Sequence, residues 1–208
     1  MISLAEMTGR LHSPAGIRIT GLIMILTTER LILREFVQSD WEAILAYQQN
    51  PRYLRYYEWT GRTPEAVRAF VQMFLDHQEQ EPRLKFQFAV TLRSSGQLIG
   101  NCGVRRDAPD AHEGEIGYEL DPDHWGRGYA TEAARSVLQF GFAQMGLHRV
   151  CAYCVADNTG SAHVLEKLGM RLEGHLREHR YYKNRWWDTL IYAILYDEWR
   201  TQHPEHQG

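Results

Sequence analysis

Apolar residues recur along the chain with two periods, and the change of period separates predicted helices from predicted strands. The clearest helical stripe follows the spacing i, i+3, i+4, i+7, i+8 and consists of Val67, Phe70, Val71, Phe74 and Leu75. The pair Thr63-Pro64 before it is a typical helix start, with proline in the first turn. Three further helices are predicted over about 40–49, 129–145 and 158–168, the last of them ended by Gly169.

Alternating or continuously apolar segments predict the strands, which lie at 29–37, 85–92, 97–105, 115–120, 148–155, 171–180 and 187–196. In the fourth strand Ile116, Tyr118 and Leu120 share one face, while Glu115, Gly117 and Glu119 share the other. The pattern therefore predicts an α/β (α+β) domain. Its mostly antiparallel mixed sheet has about seven strands, with four flanking helices.

Length and charge narrow the class of protein. The 208 residues suit one domain over 24–200, with 1–23 as a loose N-terminal extension and 201–208 as a polar tail. A net charge of −3 with dispersed Lys and Arg disfavours nucleic-acid binding. No apolar run approaches the roughly 18 residues of a membrane span, and 1–23 lacks a signal-peptide core, so we expect a cytoplasmic protein.

The three cysteines do not describe a disulfide scaffold. Cys151 and Cys154 form a C-x-x-C, but it lies within a predicted strand and has no second pair or histidine pair with zinc-site spacing. We therefore expect Cys151 and Cys154, like Cys102, to be buried strand cysteines, and we expect no metal site.

The most informative segment is Trp125-Gly126-Arg127-Gly128-Tyr129-Ala130-Thr131, a Gly-x-Gly turn that opens a helix. Unpaired backbone N–H groups and the helix dipole make such a turn suitable for binding phosphate. Gly128 is not followed by Lys-Ser/Thr, and Thr131 stands where a dinucleotide fingerprint needs a third small residue. The sequence thus disfavours a nucleotide triphosphatase and a dehydrogenase, although a simple tight turn stays open.

A second polar pair heads the helix predicted over 158–168. Asn158 and Ser161 lie on one face with Leu165 and Leu168. An N-cap with a back-bonded serine explains this pair as well as contact with a ligand does.

The order of these motifs resembles that of the GCN5-related N-acetyltransferases (GNAT superfamily), in particular the branch of Rim-type ribosomal-protein N-terminal acetyltransferases. The resemblance covers about 24–200. It rests on 26–34 (Leu-Thr-Thr-Glu-Arg-Leu-Ile-Leu-Arg), Gly117-Tyr118-Glu119-Leu120, the glycine turn, Asn158 to Ser161, Lys167-Leu168-Gly169-Met170, 173–177 and Asp188-Thr189-Leu190.

The resemblance implies acetyl-CoA as cosubstrate, with the pyrophosphate held by backbone amides of the turn and the pantetheine arm between splayed central strands. It assigns cofactor binding to Leu120, Trp125, Gly126, Arg127, Gly128, Tyr129, Ala130, Thr131 and Asn158. The family has Gln or Arg where this chain has Trp125, so a polar side-chain contact from that position is not carried over.

Direct attack by an amine on the thioester needs a base and a proton donor for the leaving thiolate. As base we rank Glu115 first, with Glu119 and Glu113 in reserve; an ordinary solvent-facing carboxylate is the competing interpretation. As donor the resemblance implies Ser161, with Tyr153 in reserve.

Aromatic residues that include Tyr57, Trp59 and Tyr182 are expected to border the acceptor groove, although packing or a homodimer contact explains single rings equally well. Arg52, Arg55 and Arg62 against Glu58 favour a protein N-terminus as acceptor. An aminoglycoside or polyamine acceptor, and a non-catalytic coenzyme A-binding module, are the alternatives.

Overall fold

A nine-stranded mixed sheet runs through the part of the protein that the computed structural model describes, residues 17–20 and 23–203. Its strands are β1 (Ile17–Thr20), β2 (Ile23–Thr27), β3 (Leu31–Arg34), β4 (Lys85–Leu92), β5 (Leu98–Arg105), β6 (Glu113–Leu120), β7 (Arg149–Val155), β8 (Arg171–Tyr182) and β9 (Arg185–Leu195). The helices are α1 (Trp41–Gln48), α2 (Pro51–Leu54), α3 (Pro64–Gln78), α4 (Tyr129–Ala143), α5 (Thr159–Lys167) and α6 (Tyr196–Gln202). Short 3-10 turns at Gln38–Asp40 and Pro122–His124 precede α1 and α4.

The strands follow the order β1-β2-β3-β4-β5-β6-β7-β9-β8, and every neighbouring pair is antiparallel except β6 and β7. These two parallel strands pair only at their beginnings, from Glu113 opposite Arg149 to Glu115 opposite Cys151. Beyond that point β6 stays paired with β5 and β7 stays paired with β9. The middle of the sheet therefore opens as a wedge.

Two hydrophobic clusters cover the sheet. The larger one contains the buried residues of α4, α5 and α6, among them Leu138, Leu165 and Trp199, packed with Ile116 and Leu120 of β6. The smaller one joins α1, α2 and α3 to the opposite side of the sheet through residues such as Ile44, Val71 and Ala89. The alternation predicted for β6 is confirmed, because Ile116 and Leu120 point into the larger cluster.

The predicted fold is confirmed, with differences in number and bounds. Strands β1 and β2 and the short helices α2 and α6 add to the expected seven strands and four helices. The strand expected over 29–37 stops at Arg34, because Asp40 accepts hydrogen bonds from the Arg34 guanidinium and from the backbone N–H of Val37, which turns the chain. The last strand stops at Leu195, whose N–H is capped by Glu198 at the start of α6.

Most of the segment 1–23, expected to be a loose extension, and residues 204–208 of the expected tail lie outside the described residues; residues 17–20 form β1 and pair with β2. Cys102, Cys151 and Cys154 are buried free thiols in strands, as expected. None of the helices in the described part of the chain has the length and apolar character needed to cross a membrane.

Candidate active site

A cavity of about 430 Å³ lies between the end of β6, the start of α4 and α5, at the part of β6 that has separated from β7. Its walls come from the end of β6, the glycine turn and the first turn of α4, one face of α5, and the tyrosines of α2 and the segment after it. The cavity therefore lies where four separate parts of the chain meet at the break in the sheet.

The glycine turn forms one end of this cavity. Gly126 and Gly128 have φ values of 73° and 79°, a left-handed conformation that is strained for residues with a Cβ. Gly128 is the N-cap of α4 and has no side chain that could accept hydrogen bonds from the first-turn amides. These amides are therefore available to a ligand. Trp125 lines the cavity, and its indole N–H donates to the carbonyl of Leu120 at 2.8 Å.

Glu132, in the first turn of α4, fastens the turn to the loop between β2 and β3. One carboxylate oxygen accepts from the Thr28 hydroxyl at 2.6 Å and the Arg30 N–H at 2.8 Å, and the other accepts from Arg30 Nε at 2.7 Å. The Arg30 guanidinium also donates to the carbonyl of Arg127 at 2.9 Å and lies over the Tyr129 ring. The conformation of the turn thus depends on contacts about a hundred residues away in sequence.

Ser161 lies across the wedge from the turn and joins the two sides of the break. The hydroxyl of Tyr118, on β6, lies 3.0 Å from both the carbonyl oxygen and the Oγ of Ser161. Asn158 caps α5 by accepting from the Ser161 N–H at 3.2 Å. Burial raises the pKa of the neighbouring Cys154 thiol to about 11, against the opposing effect of its hydrogen bond to Ser161. Ser161 is therefore a fixed hydroxyl beside neutral groups.

Glu119 supplies the carboxylate of the cavity wall. Its carboxylate accepts hydrogen bonds from Tyr47, Gln48, Tyr53, Tyr57 and Asn101. Strand β5 approaches β6 so closely here that position 100 requires glycine, because a Cβ at Gly100 would lie 2.2 Å from the Glu119 carbonyl oxygen. Burial, followed by the charge of Glu119, raises the pKa of Tyr53 and Tyr57, so both stay protonated donors.

Stacked aromatic rings form the wall beside Glu119. The rings of Tyr53 and Tyr57 stack at 4.4 Å, and Tyr57 stacks on Trp59 at 4.7 Å. Tyr182 donates to the carbonyl of Tyr56 at 3.0 Å and so connects the end of β8 to this wall. The stacking thus places the Tyr57 ring against both Tyr53 and Trp59.

The structure brings most of the expected site residues together. Those that line the cavity are Leu120, Trp125, Gly126, Gly128, Tyr129, Ala130, Thr131, Asn158, Ser161 and Tyr57. Among the described residues, the cavity wall does not include Arg127, Trp59, Tyr182 or Glu115. Arg127 contributes its carbonyl to the Arg30 contact, and Glu115 forms an ion pair with Arg105.

Sequence reasoning missed several residues of the wall. Glu119 was ranked only as a reserve, and Tyr118 was not considered as a partner of Ser161. The face of α5 that lines the cavity carries Gly160, His163, Val164 and Lys167. These residues are spaced i, i+3, i+4 and i+7, so they form one helix face next to the buried Leu165 and Leu168. The sequence could have indicated this second face.

Comparison with known proteins agrees with this architecture. Residues 30–171 match the model of the acetyltransferase (GNAT) domain. The uncharacterized N-acetyltransferase YnaD of Bacillus subtilis is 36% identical over 85% of this chain and 99% of its own. The chain belongs to the GNAT acetyltransferase family, and it is an acetyltransferase.

Solved structures share the fold. A GNAT-family acetyltransferase from Bacillus anthracis is 35% identical with a TM-score of 0.72, over 83% of this chain and 98% of that one. RimL, a ribosomal L7/L12 alpha-N-protein acetyltransferase in complex with coenzyme A, has a TM-score of 0.73 at 21% identity, over 84% and 99% of the two chains. The Rim-type enzymes are thus among the neighbours of this protein.

The contacts of Glu132 generate a stability prediction. Glu132→Gln removes the acceptor of the Arg30 Nε hydrogen bond, and we expect it to lower the free energy of unfolding at pH 7 by about 1.5 kcal/mol. Burial works against the charge, but the hydrogen bonds from Thr28 and Arg30 lower the pKa of Glu132 overall. Because this folded-state pKa lies below the usual value of about 4.3, the stabilisation is present above that pH and is lost as pH falls through the lowered pKa.

Chemical denaturation of the parent and Glu132→Gln at pH 7 and pH 3 measures this difference. The gap between the two proteins should shrink on acidification. An equal gap at both pH values would contradict the assignment, and Glu42→Gln, at an exposed carboxylate in the first turn of α1, serves as the matched control.

Proposed function

We propose that the protein transfers the acetyl group of acetyl-CoA to a primary amine, and that this amine is the N-terminal α-amino group of a protein. The observation that carries the proposal is that one cavity is lined by two sets of groups that differ in chemistry. The glycine turn, His163 and Lys167 form one set, and Glu119 with its tyrosines forms the other. An anionic donor suits the first set and an amine acceptor suits the second, and Ser161 lines the same cavity.

The donor end suits the pyrophosphate and pantetheine of coenzyme A. Backbone amides at a helix N-terminus bind phosphate oxygens, and the left-handed glycines allow close approach. Beyond Glu115 the β7-facing edge of β6 has no strand partner, so it offers backbone groups to the amides of the pantetheine arm. RimL, a fold neighbour, binds coenzyme A.

Catalysis then consists of positioning and proton handling. The amine nitrogen attacks the thioester carbonyl, the C–N bond forms, the C–S bond breaks, and the sulfur leaves as a thiolate that takes up the proton lost by the nitrogen. Positioning both reactants in one cavity supplies a large part of the acceleration. The Ser161 hydroxyl donates a hydrogen bond to the developing thiolate, and a backbone N–H of β6 stabilises the oxyanion. Glu115 is a poor candidate for the base, because it pairs with Arg105 away from the cavity wall.

A peptide end is the acceptor that suits the opposite wall best. Tyr53 and Tyr57 line the cavity beside Glu119, and Glu119 offers the negative charge that attracts an ammonium group. RimL, named for an alpha-N-protein acceptor, has this fold. A ribosomal protein as acceptor would make the enzyme cytoplasmic.

Turnover of acetyl-CoA against a panel of amines tests the proposal. We expect thiol release and acetylated product with peptides that have a free N-terminus, and much slower turnover with aminoglycosides and polyamines. Preferential acetylation of a small amine would overturn the choice of acceptor. Binding of coenzyme A without turnover for any amine would identify a binding module instead.

Replacing Gly128 tests the donor end. Gly128→Val places a β-branched side chain at φ 79°, next to the amides that would hold the pyrophosphate, and we expect the Kd for coenzyme A to rise about tenfold or more. Gly146→Val is the matched control, because Gly146 also has positive φ and open space but does not line the cavity. Calorimetry that shows equal affinity for a folded Gly128→Val variant and the parent would exclude this binding mode.

Replacing Ser161 tests the proton donor. Ser161→Ala should lower kcat about 10²-fold while the Kd for coenzyme A changes little, because the hydrogen bond to sulfur strengthens only as the thiolate forms. Thr159→Ala removes an exposed hydroxyl from the same turn, outside the cavity wall, and should leave kcat at the parent value. Parallel losses of kcat and coenzyme affinity in Ser161→Ala would assign Ser161 to binding only.

A further inference from the structure

Tyr118 lies on β6 just beyond the point where the parallel pairing with β7 ends. That pairing ends at Glu115 opposite Cys151, whereas β5 still pairs with β6 at Tyr118, opposite Cys102. The Tyr118 side chain lines the cavity, and its hydroxyl crosses to α5. There it lies 3.0 Å from the carbonyl oxygen of Ser161 and 3.0 Å from the Oγ of the same residue. One phenol therefore has two acceptors on the residue that faces the leaving thiolate in the proposed reaction.

The phenol of Tyr118 is a donor that keeps its proton. Burial raises its pKa well above the usual value, against the smaller opposing effect of its hydrogen bond with Ser161. The nearby acidic groups of Cys154, Cys102 and Tyr192 raise this pKa further. A thiol has an ordinary pKa of about 8.5, so a phenol this weakly acidic does not pass its proton to a thiolate. Tyr118 can therefore contribute to the reaction only through the hydrogen bond that it donates.

The direction of the Ser161 proton depends on that bond. If the phenol donates to Oγ, the serine proton cannot also lie between the two oxygens, and it points away from Tyr118. Another neighbour of the serine hydroxyl is the Cys154 thiol, which stays neutral because burial raises its pKa to about 11. A neutral thiol is a weak acceptor, and an anion is a strong one. The serine proton is thus free to turn to a ligand sulfur as negative charge develops there.

We propose that Tyr118 is a positioning residue for the proton donor: its phenol donates to Ser161 Oγ, directs the serine proton to the leaving sulfur and makes that O–H a stronger donor. The inference rests on the proposed function and adds a residue to its chemistry. A hydroxyl whose oxygen accepts a hydrogen bond is the better donor, because linked hydrogen bonds polarise one another. As the C–S bond breaks, its electron pair passes to sulfur and both hydroxyls keep their protons. The proton lost by the amine nitrogen then neutralises the thiolate.

A purely structural link between β6 and α5 is the competing interpretation. The hydrogen bond from Tyr118 to the Ser161 carbonyl would be sufficient for such a link. The two interpretations differ in their dependence on the serine hydroxyl. A structural link acts equally well without this hydroxyl, whereas a positioning effect on it disappears once it is removed. A double-mutant cycle separates the two.

The experiment compares the full-length parent, Tyr118→Phe, Ser161→Ala and the double variant, with acetyl-CoA and a peptide that has a free N-terminus. We expect Tyr118→Phe to lower kcat about tenfold and to change the Kd for coenzyme A by less than about twofold. In the Ser161→Ala background the same substitution should change kcat by less than about twofold. Tyr192→Phe is the matched control, because the Tyr192 phenol on β9 also donates to α5, at 3.3 Å from Glu166, but does not line the cavity. It should keep the parent kcat.

The outcomes of the cycle separate the inference from the proposed function. Additive losses of kcat in the double variant overturn the inference, as does a Tyr118→Phe variant that is as active as the parent. A loss of coenzyme affinity as large as the loss of kcat overturns it too, and all three results leave acetyl transfer standing. Parent-like kcat in Ser161→Ala overturns the proposed proton donor and the inference with it. No product from any amine overturns the proposed function itself.

A fluorinated tyrosine decides the question if Tyr118→Phe does not fold. Fluorine on the ring makes the phenol more acidic, and so a stronger donor, while the hydroxyl and both of its acceptors remain. We expect Tyr118→3-fluorotyrosine to raise kcat about twofold in the parent and to leave kcat unchanged in the Ser161→Ala background. A kcat that falls or stays at the parent value overturns the inference, because the polarity of the phenol would then have no effect through Ser161.

Discussion

The separation of β6 from β7 is the constraint on which the rest of the site depends. Two parallel strands that pair at Glu113–Glu115 and then diverge leave backbone groups without a strand partner in the centre of the sheet. Unpaired buried backbone groups are costly, so they need a ligand, water or side chains. The Tyr118 hydroxyl bonds to Ser161 of α5, and the cavity lies beside this contact. The open edge of β6 next to the cavity therefore has backbone groups that a bound ligand could pair with.

Both ends of the cavity are held by residues far away in sequence. Glu132 and Arg30 join the glycine turn to the β2–β3 loop, and the donors to Glu119 come from α1, α2, β5 and the segment after α2. These contacts fix side chains and turns at the site, which is what catalysis by positioning demands.

Local rules were sufficient for the parts of the site that local sequence determines. The glycine turn that opens α4 and the alternation of β6 follow from steric limits and period and were predicted correctly, and the N-cap at Asn158 was one of two interpretations left open. The choice between Glu115 and Glu119 could not be made from the local sequence. Both lie on the same face of β6, and only the packing of α1 and α2 over the far end of that strand brings donors to Glu119 and leaves Glu115 to Arg105.

The packing of α1 and α2 over the end of β6 also determines which groups surround Glu119. Helices α1 and α2 and the segment after α2 carry Tyr47, Tyr53 and Tyr57, which all turn their hydroxyls to one carboxylate. Burying a charge is tolerable only when its hydrogen bonds are satisfied. The residues that satisfy Glu119 are also residues that pack α1 and α2 over the end of β6, so the acidic part of the cavity wall and the packing beside it depend on each other.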